Sequence, residues 1–235
     1  VTGAGQGIGQ GIALAAAAEG AHVVAAGRTL DKVQKTADEV SARGVEALAV
    51  QCDVRRRDEV DACMATALER FGRLDGLVNN AMMVSLGPVL DITEKDARRT
   101  WDSGFLGTLW CMQAAHDALV ASRGSVVNLG TGSALRPDPA GFALYAGTKE
   151  MIRTLTRSAA VEWGGDGVRD PAYSVMLSTT PAPTVRPPSR MAKRRPSSMA
   201  IGWISSTSMV ALSPGMTIST FSGRVTTPVT SVVRK

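Results

Sequence analysis

Eight residues near the start, Thr2-Gly3-Ala4-Gly5-Gln6-Gly7-Ile8-Gly9, constrain the fold more than any others in the chain. Four glycines alternate there with small or apolar residues. Val1 precedes the run, and Gln10-Gly11-Ile12-Ala13-Leu14-Ala15-Ala16-Ala17-Ala18-Glu19 follows it, rich in good helix formers. The pattern is a strand end, a tight turn and a helix. Glycine serves such a turn because it accepts positive φ and lets a ligand approach the backbone. The free N–H groups and the dipole of a helix start favour an anion, so a pyrophosphate fits. Gly20-Ala21-His22-Val23-Val24-Ala25-Ala26-Gly27-Arg28 then reads as a turn and a buried strand. Together they make a βαβ unit, the setting of a dinucleotide site.

The same alternation continues. Strands are expected over 45–50, 74–78 and 125–129, and helices over 29–42, 58–71 and 142–163. A long helical stretch over 96–121 is expected to kink near Gly104 and Gly107, with Thr93 as an N-cap before it. The fold class is therefore α/β, a doubly wound parallel sheet. Ligands of such sheets lie beyond the carboxyl ends of the strands. Gly3 to Gly9, Arg28, Asp53, Asn79, Asn80 and Thr131 all fall there.

At 235 residues with 44 % hydrophobic content, the chain can bury one sizeable α/β core. It has no apolar run long enough to span a bilayer and no secretory signal, so no membrane partner is expected. Cys52, Cys63 and Cys111 are scattered, which fits buried free thiols in a reducing, cytoplasmic setting. His22 and His116 stand apart, and no metal is expected. The chain opens on Val1 at the end of the central strand, so it reads as truncated there.

Composition changes after Asp170. Residues 171–235 carry eight of the 26 basic residues, none of the 21 acidic ones and eight of the 11 prolines. They read as a separate Pro/Ser/Thr/Arg-rich tail, disordered or frame-shifted, with 1–170 as the catalytic domain. The basic stretches 186–190 and 193–196 read as solvated coil, and 201–204 and 209–212 as short strands at most. The tail lacks interleaved aromatics, so no nucleic-acid partner is expected.

Tyr145-Ala146-Gly147-Thr148-Lys149 carries the chemistry. Tyr and Lys at i and i+4 share one helix face. An ammonium beside a phenol favours the phenolate and suits it to acid/base work on a carbonyl or hydroxyl oxygen. Thr-Gly-x-x-x-Gly-Ile-Gly, Cys-Asp-Val, Asn-Asn-Ala, Gly-Ser-Val-Val-Asn and Tyr-x-x-x-Lys occur in an order that resembles the short-chain dehydrogenase/reductase family, from Val1 to about Arg169. The resemblance implies a Rossmann-type fold and hydride transfer between a nicotinamide cofactor and a ketone or secondary alcohol, such as a 3-oxoacyl group. It implies that Gly3, Gly5, Gln6, Gly7, Ile8 and Gly9 line the dinucleotide. Asp53 and Val54 would meet the adenine, and Asn79 and Ala81 would flank the ribose and nicotinamide. Tyr145 would be the acid/base and Lys149 its ribose-binding partner. Thr131 would bond the substrate oxygen, with Ser133 as the alternative.

Three departures from the family pattern stand out. Met82 replaces the glycine of Asn-Asn-Ala-Gly, and Gly104 stands where an asparagine usually holds a relay water. After Arg169 the usual C-terminal strands are not legible. A defective fragment that at best binds nucleotide is therefore the competing reading. The family also implies a homodimer or homotetramer; Met112, Leu119, Ile152 and Leu155 fit such a contact and core packing equally well. For the cofactor, Gly27 stands where NAD-binding chains carry an acid, and Arg28 follows. NADP is expected over NAD by about tenfold, ~1.4 kcal/mol.

Overall fold

In the computed structural model, which describes residues 1–134 and 141–176, five parallel strands alternate with six α-helices. The described residues all lie in one unit, Val1–Ser178. The glycine run opens α1, Gly7–Ala18, and β1, Val23–Gly27, follows. Next come α2, Leu30–Ser41, and β2, Ala47–Gln51. Then come α3, Arg57–Phe71, and β3, Gly76–Asn79. Helix α4, Glu94–Trp101, runs through a π turn, Asp102–Leu106, into α5, Gly107–Ser122. Strand β4, Ser125–Thr131, leads to α6, Ala143–Trp163, and to β5, Arg169–Met176.

The sheet falls into two halves, β1 with β2 and β3–β4–β5. The first four residues join them. Thr2 N–H donates to the Val78 carbonyl at 3.0 Å, while Ala26 N–H donates to the Val1 carbonyl and Ala4 N–H to that of Ala26, both at 3.0 Å. Val1 and Thr2 thus occupy the central position of a doubly wound sheet, and the glycine turn leaves it at the carboxyl end.

Local sequence explains the helices. In α2, Val33, Thr36, Ala37 and Val40 form the buried stripe, and Asp31 sits in the first turn. Gly72, at φ +69°, stops α3 as its N–H bonds Leu68 O at 2.8 Å. Thr93 and Asp96 make a reciprocal capping box at the start of α4. The expected kink is the π turn itself.

One core cluster holds Cys52, Val60, Met64, Leu77, Cys111, Met112, Leu119 and Val126 among α3, α5 and the sheet. The other side is filled by Ala13, Ala17, Val23 and Val40, with Ala4, Ala25 and Val33 next to them. Fully burying an aliphatic side chain contributes ~1.5–3 kcal/mol. Of the two readings of Met112, Leu119, Ile152 and Leu155, this placement supports core packing. Met112, Leu119 and Ile152 are buried in the chain's own interior, and Leu155 packs against the same cluster. Their helical spacing is that of a core face.

One correction is β5, which runs through the expected boundary at 170 and pairs in parallel with β4. Pro171 lies within this strand. The register slips there: Ser125 pairs with Arg169, but Val127 pairs with Ala172. Asp170 and Pro171 form a bulge, one of the few places a sheet accepts proline. Expectations for 135–140 and for the tail from 177 onward lie outside the described residues.

Candidate active site

The glycine turn is held from three directions. Asn80 Nδ2 donates to the Thr2 and Gly3 carbonyls at 3.0 and 3.2 Å. Thr2 Oγ1 accepts from the N–H groups of Asn80 and Ala81, each at 3.1 Å. From α2, the buried Thr36 hydroxyl donates to Ala4 O at 2.9 Å. A Cβ on Gly9 would lie 2.3 Å from Gly3 O, and one on Gly5 2.8 Å from Lys32 Cβ. Gly3, at φ +65°, sits against Asn80 and Ala81. Gly7 differs. It has φ +56°, and a Cβ there would meet nothing within 4 Å. The turn is packed on one side and open at Gly7.

Above Gly7 the first turn of α1 has no acidic residue and no side-chain cap. The backbone N–H groups of a helix start are therefore unclaimed by side chains and attract an anion. Ile8 is exposed there, and the Gln6 side chain is occupied elsewhere: Lys32 Nζ donates to Gln6 Oε1 at 2.7 Å. Lys32 thus brings to the turn the cation that Gln6 lacks. Arg28 is exposed at the end of β1, with Nη1 3.1 Å from Met83 Sδ. A Cβ on Gly27 would lie 2.9 Å from Val33 Cγ1, so an acid at that position does not fit the packing as it stands.

The other expected cofactor residues are placed less uniformly. Asp53 lies at the end of β2, and its carboxylate takes a two-pronged bond from Arg55, with Nε 3.0 Å from each oxygen. That guanidinium holds the Asp53 carboxyl below the usual carboxylate range. Val54 is a core residue: a Cβ on Gly107 would lie 2.8 Å from its Cγ2. Asn79 is buried, its Nδ2 donating to Asn128 Oδ1 at 2.9 Å, and its Oδ1 has no protein partner. Asn128 in turn donates to Thr156 Oγ1 at 2.9 Å. The side chain that reaches the turn is Asn80.

Helix α6 brings Tyr145 and Lys149 to the end of β4. Lys149 is only 5 % exposed, and its Nζ donates to Leu129 O at 2.6 Å. Burial pushes its pKa down from the usual 10.5 to about 8. Its Nζ stands 5.9 Å from the centre of the Tyr145 ring, and Phe142 packs edge-on at 5.9 Å. Thr131 ends β4, buried, with Oγ1 accepting from Ser133 N at 3.3 Å. Ser133 itself is half-buried in the turn that follows.

The two departures at 82 and 104 meet. A Cβ on Gly104 would lie 3.2 Å from Met82 Cε and 2.7 Å from Thr148 Cγ2. Thioether and methyl fill the space a side chain at 104 would take. Next to it, Ser103 Oγ accepts from Met83 N at 2.9 Å and donates to Arg99 O at 2.7 Å, tying the loop after β3 to the π turn. Such turns often sit at functional sites. Asn80 stands in the Asn-Asn-Ala motif, but no role is legible for it there; Lys32 and Ser103 lie in no motif, and Lys32 alone has a signal, one helical turn after Arg28.

The family model for short chain dehydrogenases matches residues 1–182. The chain belongs to the short-chain dehydrogenase family. Within this family it is 37 % identical to a meso-2,3-butanediol dehydrogenase of Serratia marcescens, over 72 % of this chain and 66 % of that one. The alcohol dehydrogenase of the archaeon Thermococcus sibiricus, solved with 5-hydroxy-NADP, superposes with a TM-score of 0.67 at 28 % identity. That match covers 75 % of this chain and 72 % of the other. An NAD+-bound xylitol dehydrogenase gives 0.69 at 27 %, covering 74 % and 66 %. The chain thus spans about two thirds of the length of these proteins. The family match also runs past Arg169, in keeping with β5. Among the described residues no helix is long and apolar enough to cross a membrane.

Proposed function

We propose that this short-chain dehydrogenase is an NAD(P)-dependent oxidoreductase acting on a ketone or secondary alcohol, with Tyr145 as acid/base. The observation that carries it is Lys149. It is buried on the same helix face as Tyr145 and fixed to the end of β4, beyond the open glycine turn. When bound, the nicotinamide supplies or takes the hydride. Tyr145 gives or takes the proton at the substrate oxygen. Thr131 accepts from Ser133, which leaves its own hydroxyl proton to donate to that oxygen; Ser133 is the alternative. Lys149 holds positive charge near the phenol and the cofactor ribose. Cofactor oxidation with a panel of ketones tests this against the Tyr145→Phe form. Turnover lost in the variant supports the reading. Equal rates in both remove the role of Tyr145, and none in either favours the fragment that at best binds nucleotide.

NADP is the preferred cofactor in this reading. Arg28 follows β1 and Lys32 bonds Gln6 of the turn, two cations within one helical turn of sequence, and Val33 crowds any side chain at Gly27. Titration with both cofactors should give NADP an advantage of about tenfold, ~1.4 kcal/mol. Arg28→Ala and Lys32→Ala should each narrow it. An unchanged ratio in both variants would remove the assignment.

A homodimer or homotetramer belongs to the same reading. A groove of about 470 Å³ lies between α4, the π turn and α6, lined by Trp101, Leu106, Leu144 and Met151. The small-molecule substrate requires no nucleic acid or membrane, and a cytoplasmic setting suits the three buried free thiols.

A further inference from the structure

The segment between β3 and α4 is pinned along its length and still turns its largest side chains outward. Met83 N–H bonds Ser103, the Ser85 hydroxyl bonds the Asp96 carboxylate, and Gly87 N–H bonds Gly141 O at 3.1 Å. Asp91 N–H closes a turn on Pro88 O at 2.9 Å, and the capping box follows. Between these anchors Val84, Leu86, Val89 and Leu90 are 44, 55, 70 and 97 % exposed. Residues 81–90 contain no charge. A fixed, uncharged run of large apolar side chains in water marks a binding surface.

Its position says for what. Gly141 has φ +76°, and a Cβ there would lie 2.9 Å from the backbone of Gly87. Only glycine lets the segment approach the start of α6 so closely. One residue on, Phe142 packs its ring against Tyr145. The backbone of the segment at Gly87 is therefore linked to the Tyr145 ring through Gly141 and Phe142.

We infer that residues 84–90 form the apolar side of the substrate mouth, and that the substrate carries an extended apolar arm on its carbonyl carbon. This rests on the reading of Tyr145 above. It separates the chain from its butanediol and xylitol relatives, whose substrates present hydroxyls on neighbouring carbons. A buried methylene contributes ~0.8 kcal/mol, so each one added to the arm should raise kcat/KM by up to about fourfold.

The test is a series from 2-butanone to 2-octanone, with fructose as the polar competitor, reduced by the full chain with NADPH. The same ketones are titrated by calorimetry, which needs no turnover. We expect kcat/KM to climb with chain length, fructose to be poor, and 2-octanone to bind with a negative heat-capacity change. Leu86→Ser and Leu90→Ser, both at exposed positions that tolerate substitution, should flatten the climb. Turnover without chain-length dependence, or a preference for fructose, overturns the inference. If no ketone turns over, the oxidoreductase reading fails. Calorimetry then still decides this one: tighter binding of 2-octanone, weakened by Leu86→Ser, supports it, and equal binding of both ketones overturns it. Serine variants that change the mass in solution while leaving the climb intact make the segment a contact between copies, which also overturns it.

Discussion

Lys149 is the residue whose protonation the fold controls most directly. Burial lowers its pKa to about 8, so between about 8 and 10.5 the unfolded chain binds more protons than the folded one. Stability therefore rises with pH across that window, and the cost of burying the charge is fully present below it. Urea unfolding of the wild type and of Lys149→Met, compared from pH 7 to 10.5, should show the wild type gaining relative to the variant. A difference that stays flat would mean the ammonium is not desolvated. The pairing of Tyr145 with Lys149 was legible because i, i+4 spacing fixes two side chains on one helix face. Lys32 and Ser103 were hidden, and so was the role of Asn80, because each acts on a segment from another element. The packing of Val54 was not legible for a different reason: an apolar residue beside Asp53 looks the same whether its side chain faces a ligand or Gly107.

At the scale of elements, the glycine turn divides its labour between packing and access. Gly9→Ala would drive a methyl to 2.3 Å from the Gly3 carbonyl, a backbone atom that cannot swing aside. Overpacking of this kind costs about 1–3 kcal/mol or more. Gly7→Ala meets no atom and carries only the left-handed backbone cost, about 1–2 kcal/mol. It does, however, put a methyl where the turn is open. Thermal unfolding should fall further for Gly9→Ala, whereas NADP affinity measured on folded protein should fall further for Gly7→Ala. The opposite ranking in the binding experiment would mean that the opening at Gly7 is not the cofactor's. Helices were legible here because apolar spacing, caps and stop glycines agreed. Strand β5 was not, since a proline in eight residues outweighs the alternation around it, and the bulge that accommodates it shows only in the pairing with β4.

The whole molecule depends on a buried polar line across its interior. Asn79 donates to Asn128, Asn128 to Thr156, and Thr156 to the Ile152 carbonyl, joining β3, β4 and α6. Asn128 is fully buried. Asn128→Ala leaves the Asn79 amide without its acceptor and opens a hole beside Met112. Each unsatisfied buried group costs about 1–3 kcal/mol, so a loss of about 3 kcal/mol in one cooperative transition is expected. A loss below about 1 kcal/mol, seen by urea unfolding, would show the line to be incidental. Parallel strand order was readable from the alternation of elements. The line was not, because nothing in the spacing of 79, 128 and 156 announces that they meet.

The contact at Gly104 also limits which sequences this chain can become. A side chain at that position must displace the Thr148 γ-methyl and push back the end of Met82. The permissive order is Thr148 to serine and Met82 to a shorter residue first, position 104 afterwards. Each preliminary step opens a gap in a filled interior and brings no gain alone. A mutational library that varies 104 singly should therefore be enriched in glycine among its stable members, whereas one that varies 82, 104 and 148 together should admit larger residues at 104.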